Sequence, residues 1–248
     1  MNKELRSLAM VLRVRSLGEA DKLITLFTRD IGIITAVARG TRKTKSKFSA
    51  LAEPLTLGRF LLHDGKTLFS LIQGEMVKSY AGLQSDLERW AYAQYFCELC
   101  ERTLPEGEPS EMVFSLLLTA LEALESDPLP ARVARCFELG LLDELGFRPA
   151  LEECRHCGRI VGPYSFDPQE GALVCDECTH PPGSFPVSPA SIAVMKRFLE
   201  LGFHKLTVCA VPHVVSTEIH RVCSSVLAES LGVTKLKTLD FLLSMKLL

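Results

Sequence analysis

Two pairs of cysteines constrain this 248-residue chain more than any other feature: Cys154-Arg155-His156-Cys157 and, seventeen residues on, Cys175-Asp176-Glu177-Cys178. Each CxxC is a tight turn that points two thiols at one place, and four sulfurs complete a tetrahedral zinc shell. The chain between them must therefore double back. Its residues agree: Tyr164-Ser165-Phe166 and Leu173-Val174 read as short strands, separated by Asp167-Pro168 and Gly171. The expectation is a zinc-ribbon-like module at about 150–182 holding one structural Zn²⁺ per chain. Four protein ligands leave the ion no open position, so its role is to order the segment, a contribution on the order of 10–16 kcal/mol. His156 and His180 are conceivable substitute ligands, but the cysteines already fill the shell.

The other cysteines do not suggest disulfides. Nine is an odd count, and a chain this long builds a core without them, so metal binding plus buried thiols is the better account. Cys97 and Cys100 also have CxxC spacing, yet they fall on an apolar helical stripe with no second pair nearby. They read as core thiols.

Ahead of the module, residues 6–78 read as five short strands. Leu8, Met10, Leu12 and Val14 alternate with Ala9, Val11, Arg13 and Arg15, the period of a half-buried strand. Further runs at Lys22–Thr28, Ile33–Arg39, Leu55–Leu62 and Thr67–Val77 are separated by turn signals at Gly18, Gly32 and Asp64-Gly65. Five strands with no helix between them suggest a small closed barrel. An OB-fold is the commonest barrel of that strand count, and an SH3-like barrel is the alternative.

From Gln84 the period becomes helical. Trp90, Ala93, Cys97, Cys100 and Leu104 share a stripe, and a second helix from Ser110 buries Val113, Leu117, Leu121 and Leu124. A third begins at Pro130 and buries Val133, Phe137, Leu141 and Leu145. Beyond the module, one helix follows Ser188-Pro189, another follows Pro212, and the chain closes on the apolar stretch Leu236–Leu248. The fold class expected is α+β: an N-terminal five-stranded OB-fold domain (1–80), then a helical domain (81–248) carrying the zinc module.

Charge is unevenly distributed along the chain. The net charge of −2 divides into +7 for residues 1–80, −10 for 81–153 and +1 for 154–248. The positive charge peaks at Arg39, Arg42, Lys43, Lys45 and Lys47, spaced by Gly, Thr and Ser with no acid and no apolar residue. A charge run is often only a solvated face. This one also has the composition of a phosphate cradle, in which cations neutralise the backbone and hydroxyls donate hydrogen bonds. Arg13 and Arg15 join it as candidate DNA contacts, with Arg59 next in line.

No Walker loop, GxGxxG turn or GxSxG elbow occurs, and no carboxylate pair has a spacing that calls for acid–base work, so a non-catalytic protein is expected. His213 and His220 are seven residues apart with no carboxylate beside them in sequence, and the acidic side chains are assigned to outer, solvated faces. No apolar run approaches the ~20 residues needed to span a bilayer, and the N-terminus lacks the apolar block of a signal peptide. A cytoplasmic, nucleoid-associated protein without membrane contact is the expectation.

The stretches Gly18-Glu19-Ala20-Asp21-Lys22-Leu23-Ile24-Thr25-Leu26-Phe27-Thr28, Gly32, Ala38-Arg39-Gly40-Thr41-Arg42-Lys43, Ser46 and Leu51-Ala52-Glu53-Pro54, followed by helices and two CxxC knuckles, resemble the bacterial RecO family of DNA repair and recombination mediators. Glu53 departs from the pattern, since the family more often has Gln before this Pro; some members also lack the cysteines. The resemblance implies an N-terminal OB-fold and a helical domain with an inserted zinc module. It also implies a function: binding single- and double-stranded DNA, annealing complementary strands and, with RecR, helping RecA onto DNA coated by single-stranded DNA-binding protein (SSB). Contact with the acidic C-terminal tail of SSB is implied as well, and Lys196 and Arg197 are candidates for it. An OB-fold and zinc-ribbon factor acting on RNA or in transcription is the alternative.

Overall fold

The computed structural model describes residues 4–42, 48–65, 67–245 and 247. The chain forms two compact units, Met1–Leu121 and Glu122–Leu248.

In the first unit, β1 (Glu4–Leu17), β2 (Asp21–Thr28), β3 (Gly32–Ala38), β4 (Thr56–His63) and β5 (Phe69–Ser79) close into a barrel of order β1-β2-β3-β5-β4. The circuit is closed by antiparallel β1–β4 pairing and by a short parallel contact, Ala36 to Phe69 and Val37 to Ser70. This is the OB-fold arrangement, and the SH3-like alternative falls away. Ala9, Val11, Ile24, Leu26, Ile34, Ala36, Phe60 and Leu62 fill the interior, and Leu51 and Ala52 of the β3–β4 connection pack into the same core. Gly58 and Gly74 make room for Leu51, because a Cβ at either would lie within 3 Å of its side chain.

β1 is longer and more deeply buried than a simple alternation implies. Met10 and Leu12, on its outward side, are as buried as Ala9 and Val11. A bulge between Val11 and Arg13 resets the alternation, so Val14 packs on the core while Arg13 turns outward. The outer face of β1–β2 is covered within the unit: Phe27 meets Phe114 edge-on at 5.2 Å. The segment before α2 (Glu111–Ser126) is drawn against β3, with Gly107 N–H donating to the Ile33 carbonyl at 3.0 Å. Gly32 permits that approach. Its φ is +83°, and a Cβ there would sit 2.2 Å from the Glu108 carbonyl oxygen. α1 (Leu87–Thr103) buries Tyr92, Tyr95 and Phe96 beside the expected Ala93, Cys97 and Cys100. Burial pushes the pKa of both thiols up, as core cysteines require.

The second unit holds α3 (Pro130–Glu144), the sheet β7-β6-β8, α4 (Pro189–Leu201), α5 (His213–Leu231) and α6 (Lys237–Ser244). β6 is Tyr164–Asp167, β7 is Ala172–Cys175 and β8 is Phe185–Val187. β8 adds a third strand to the two-stranded ribbon read from sequence. Pro186 is tolerated because β8 is an edge strand, where a missing N–H costs no ladder bond.

α3 corrects the reading that the acids decorate outer faces. Arg132 is bidentate to Asp127 at 2.8 and 2.9 Å, and both are about 5% exposed. Arg135 and Glu138 are wholly buried, joined at 2.8 Å, and His220 Nδ1 of α5 lies 3.0 Å from the same Glu138 oxygen. Thus His220 does have a carboxylate partner, 82 residues away in sequence. A guanidinium is buried only when paired, so these acids come inward with the arginines. α4 is capped by Ser188, whose Oγ accepts from Ser191 N–H at 3.2 Å.

Candidate metal centre and nucleic-acid face

Among the described residues, one cluster could hold a metal ion: Cys154, Cys157, Cys175 and Cys178, whose sulfurs all lie within 4.8 Å of one another. The first pair sits on a turn closed by Gly158 N–H to the Cys154 carbonyl at 2.8 Å. The second sits on a turn closed by Cys178 N–H to the Cys175 carbonyl at 3.1 Å. Gly158 takes φ +72°, which lets the first knuckle turn back. The β6–β7 hairpin brings the knuckles together, because β7 ends on Cys175 itself.

The spacing fits zinc. A tetrahedron with metal–sulfur arms of about 2.3 Å has edges of about 3.8 Å. The Sγ separations are 3.5 Å for Cys157–Cys175, 3.7 Å for Cys175–Cys178 and 3.8 Å for Cys154–Cys178. Thiolate character is supported at Cys154. Burial opposes it there, but the N–H groups of Cys175, Cys157 and His156 outweigh burial and lower the pKa to about 6. The Cys175 N–H···Sγ contact of 3.3 Å is one of these. His180 is engaged by the Cys175 carbonyl at 3.0 Å and His156 is exposed, so neither joins the cluster. Outside the sulfurs, Arg159 pairs with Glu177 and lies 3.6 Å from Asp176, tying the first knuckle to the second. Four sulfurs would hold a Zn²⁺ in a closed shell. The chemistry such an ion supplies is cross-linking of the two knuckles.

Arg15, Arg39 and Arg42 lie at one end of the barrel, where β1 turns into β2 and β3 leaves for β4. Gly18, Ala20, Asp21 and Gly40-Thr41-Arg42, among the residues quoted for the family resemblance, build this end. Gly40 N–H donates to Asp21 Oδ1 at 2.8 Å, Arg42 N–H to the Ala20 carbonyl at 3.0 Å, and Arg42 Nη1 to the Gly18 carbonyl at 2.7 Å. Gly18 and Gly40 both have positive φ, and the buried Thr41 hydroxyl donates to the Ala38 carbonyl at 3.0 Å. The base of the basic loop is therefore clamped to the β1–β2 turn. Arg39 and Arg42 stay exposed. Glu53 is accounted for too: it takes the Lys22 ammonium at 2.6 Å.

The candidates separate on inspection. Arg15 is exposed at the end of β1, Arg39 follows β3, and neither has an ion pair with a described residue. Arg13 is held by both carboxylate oxygens of Glu101 on α1, a partner no local sequence signal reveals. Lys43, Lys45 and Lys47 lie outside the described residues. In the second unit Lys196 pairs with Glu152 at 2.6 Å, while Arg197 is exposed. Arg6 and Arg29 are further exposed arginines of the barrel. Arg6 is visible in retrospect as an outward position of β1, whereas Arg29 sits in a turn whose direction only the fold shows.

A five-stranded OB-fold barrel, followed in one chain by a helical unit whose four cysteines could hold a metal ion, defines the class of protein. The sequence profile for the recombination protein O N-terminal region matches residues 1–80, and that for its C-terminal region matches residues 84–240. The chain is 37% identical over 240 residues, 94% of each chain, to the DNA repair protein RecO of Symbiobacterium thermophilum. It is 41% identical over 194 residues to that of Pelotomaculum thermopropionicum (78% of this chain, 73% of the relative). For Bacillus pumilus RecO the identity is 32% over 219 residues, 88% and 86% of the two chains. The chain belongs to the RecO family of DNA repair proteins.

Proposed function

We propose that this protein is a non-catalytic recombination mediator of the cytoplasm and nucleoid. In this reading it binds single- and double-stranded DNA through the cationic end of its barrel, anneals complementary strands and, with RecR, helps load RecA onto SSB-coated DNA. The observation that carries the reading is the exposure of Arg39 and Arg15, without an ion pair to any described residue, at the end where Arg42 is clamped. Two polyanions anneal only when their repulsion is lowered, and a cationic rim on a rigid barrel supplies that. Lys43, Lys45 and Lys47 follow Arg42 in sequence and add three positive charges.

Aromatic platforms for base stacking are scarce here. Phe27 and Phe60 are buried, so binding is dominated by phosphate contacts and is tolerant of sequence. For about four to six neutralised phosphates, log K falls against log salt with a slope of roughly −3 to −5. The Zn²⁺ braces the helical unit and takes no part in strand exchange. The SSB tail docks on the helical unit, where Arg197 remains exposed.

The test is annealing of complementary strands coated with the cognate SSB, with and without charge reversal of Arg39, Arg42, Lys43, Lys45 and Lys47. Loss of annealing together with a flatter salt slope supports the reading; an unchanged slope sinks it. Equal competition by RNA of the same length would move the function toward RNA, and cleavage of labelled DNA in Mg²⁺ would make the protein a nuclease.

A further inference from the structure

The barrel carries a groove of about 510 Å³ that the reading above leaves without a role. Three strands form it. Arg6 lies opposite Leu61 and Leu8 opposite Arg59; on the next strand Leu61 faces Gln73 and Arg59 faces Glu75. By the two-residue alternation these six side chains share the outer face. The β2–β3 turn supplies a side wall, Arg29 and Asp30. That turn is pinned: Ser7 Oγ donates to Asp30 Oδ2 at 2.7 Å, and Arg29 N–H donates to the Leu8 carbonyl at 2.9 Å.

Arg6 and Arg59 are exposed and form no ion pair with a described residue. They are diagonal neighbours across the β1–β4 ladder, a spacing of about 7–8 Å between backbone positions. Two unpaired guanidiniums so placed repel each other until an anion lies between them, and each offers a planar fork of donors to phosphate.

The groove is also remote from the basic loop. β1 runs from Arg6 to Arg15, β2 returns to the turn at Arg29, and β3 climbs back to Arg39. Arg39 and Arg42 therefore stand at one end of the barrel and Arg6, Arg29 and Arg59 toward the other.

We propose that this groove holds a second, single-stranded nucleic-acid segment, with phosphates on Arg6, Arg59 and Arg29 and base edges on Gln73 and Glu75. The volume lies within the range of small-ligand sites, about 300–1,000 Å³, and admits a nucleotide or two rather than a duplex. A carboxylate and an amide on one wall accept hydrogen bonds from exocyclic amino groups, as in base readout. Those groups also make the groove nearly charge-balanced, which disfavours a purely acidic peptide. The inference rests on the DNA-binding function proposed above and deepens it: one chain presents two strands to each other from opposite ends of one barrel.

The experiment counts strands. A four-nucleotide oligodeoxycytidylate, too short to reach from one end of the barrel to the other, is titrated into the full-length protein by calorimetry at low salt. Two equivalents per chain are expected for the parent. One is expected for Arg6→Glu/Arg59→Glu, and one for Arg39→Glu/Arg42→Glu. The groove variant should also slow annealing of complementary strands about tenfold or more, through loss of the second strand's phosphate contacts. Glu75→Gln keeps the test alive should the double variant fail to fold, because it removes the negative charge opposite Arg59 while keeping an acceptor for the base, and should tighten the second equivalent several-fold. A single equivalent on the parent overturns the proposal, as does retention of two by the groove variant. So does binding of an aspartate-rich decapeptide that the groove variant alone loses while still taking two strands. A parent that binds no oligonucleotide and does not anneal fails the underlying function itself, a result distinct from the other three.

Discussion

The four thiols of the second unit and the cations at the basic end of the barrel are both clusters of like charge, and they resolve that charge in opposite ways. The sulfurs converge to within 4.8 Å of one another around a single point, so a divalent ion inside the cluster answers all of them and leaves nothing for an outside ligand. Arg15, Arg39 and Arg42 are exposed on a clamped rim, and no carboxylate among the described residues answers Arg15 or Arg39. The first arrangement is self-sufficient and structural, whereas the second requires a partner. Arg132–Asp127 and Arg135–Glu138 lie between these extremes: charged, buried, and paired within the protein.

The largest test of this contrast is metal removal. Stripping the ion, or Cys175→Ser, should release one zinc per chain and abolish amide protection across 150–187 while leaving the barrel's intact, since tetrathiolate binding contributes on the order of 10–16 kcal/mol. Protection of the module unchanged by chelation would break the comparison. Next in size is Asp127→Ala, which strands Arg132 in the core and should cost about 3–5 kcal/mol in denaturant unfolding, with no change in the salt dependence of DNA binding.

At the open end, Arg39→Glu/Arg42→Glu should lower the melting temperature only slightly, through loss of the exposed Arg42 hydrogen bond to the Gly18 carbonyl. The slope of log K against log salt should become shallower by roughly 1.4, about 0.7 per lost single-strand phosphate contact. An unaltered slope would assign the contacts elsewhere. Glu101→Gln sharpens the boundary between the two kinds of charge, because it releases Arg13 from its half-exposed pair. It should lower stability by no more than about 1 kcal/mol while tightening DNA binding slightly.

The smallest effect is a pH dependence in the helical unit. The Glu218 carboxylate accepts from Ser188 N–H at 3.0 Å, Ser188 Oγ at 2.7 Å and Ser191 Oγ at 2.6 Å. Burial works to raise its pKa, but the two serines outweigh burial and lower it. A carboxylate lowered in the folded state stabilises fully above the ordinary glutamate range, and loses that stabilisation as pH falls through the lowered value. The difference in denaturation midpoint between the parent and Glu218→Gln should therefore be present at pH 7 and shrink on acidification. A difference that grows in acid would reverse the assignment.

Much of the architecture is legible in the chain. Strand periods and turn glycines locate all five barrel strands, because each face alternates over a short stretch. The four-cysteine cluster is equally plain, since two residues between cysteines suffice to set a knuckle. Other features leave no local trace. The bulge in β1 comes from closing the barrel, and it decides that Val14 faces inward and Arg13 outward. β8, with proline at its centre, has no strand signature and exists because β6 offers a free edge. Glu138 is held by Arg135 one turn before it on α3, but its second partner, His220, is brought by α5 from 82 residues away.

What the amino-acid sequence determined alone is therefore whatever depends on neighbours a few residues apart: knuckles, caps, strand and helix periods, and the run of cations. What only the tertiary structure decided is which charges are answered. Glu101 holds Arg13, Asp127 holds Arg132, and Arg6 and Arg59 are left side by side. An ion pair forms over a few ångströms of space, whatever the separation along the chain, and closure of the barrel and packing of the helices set that distance.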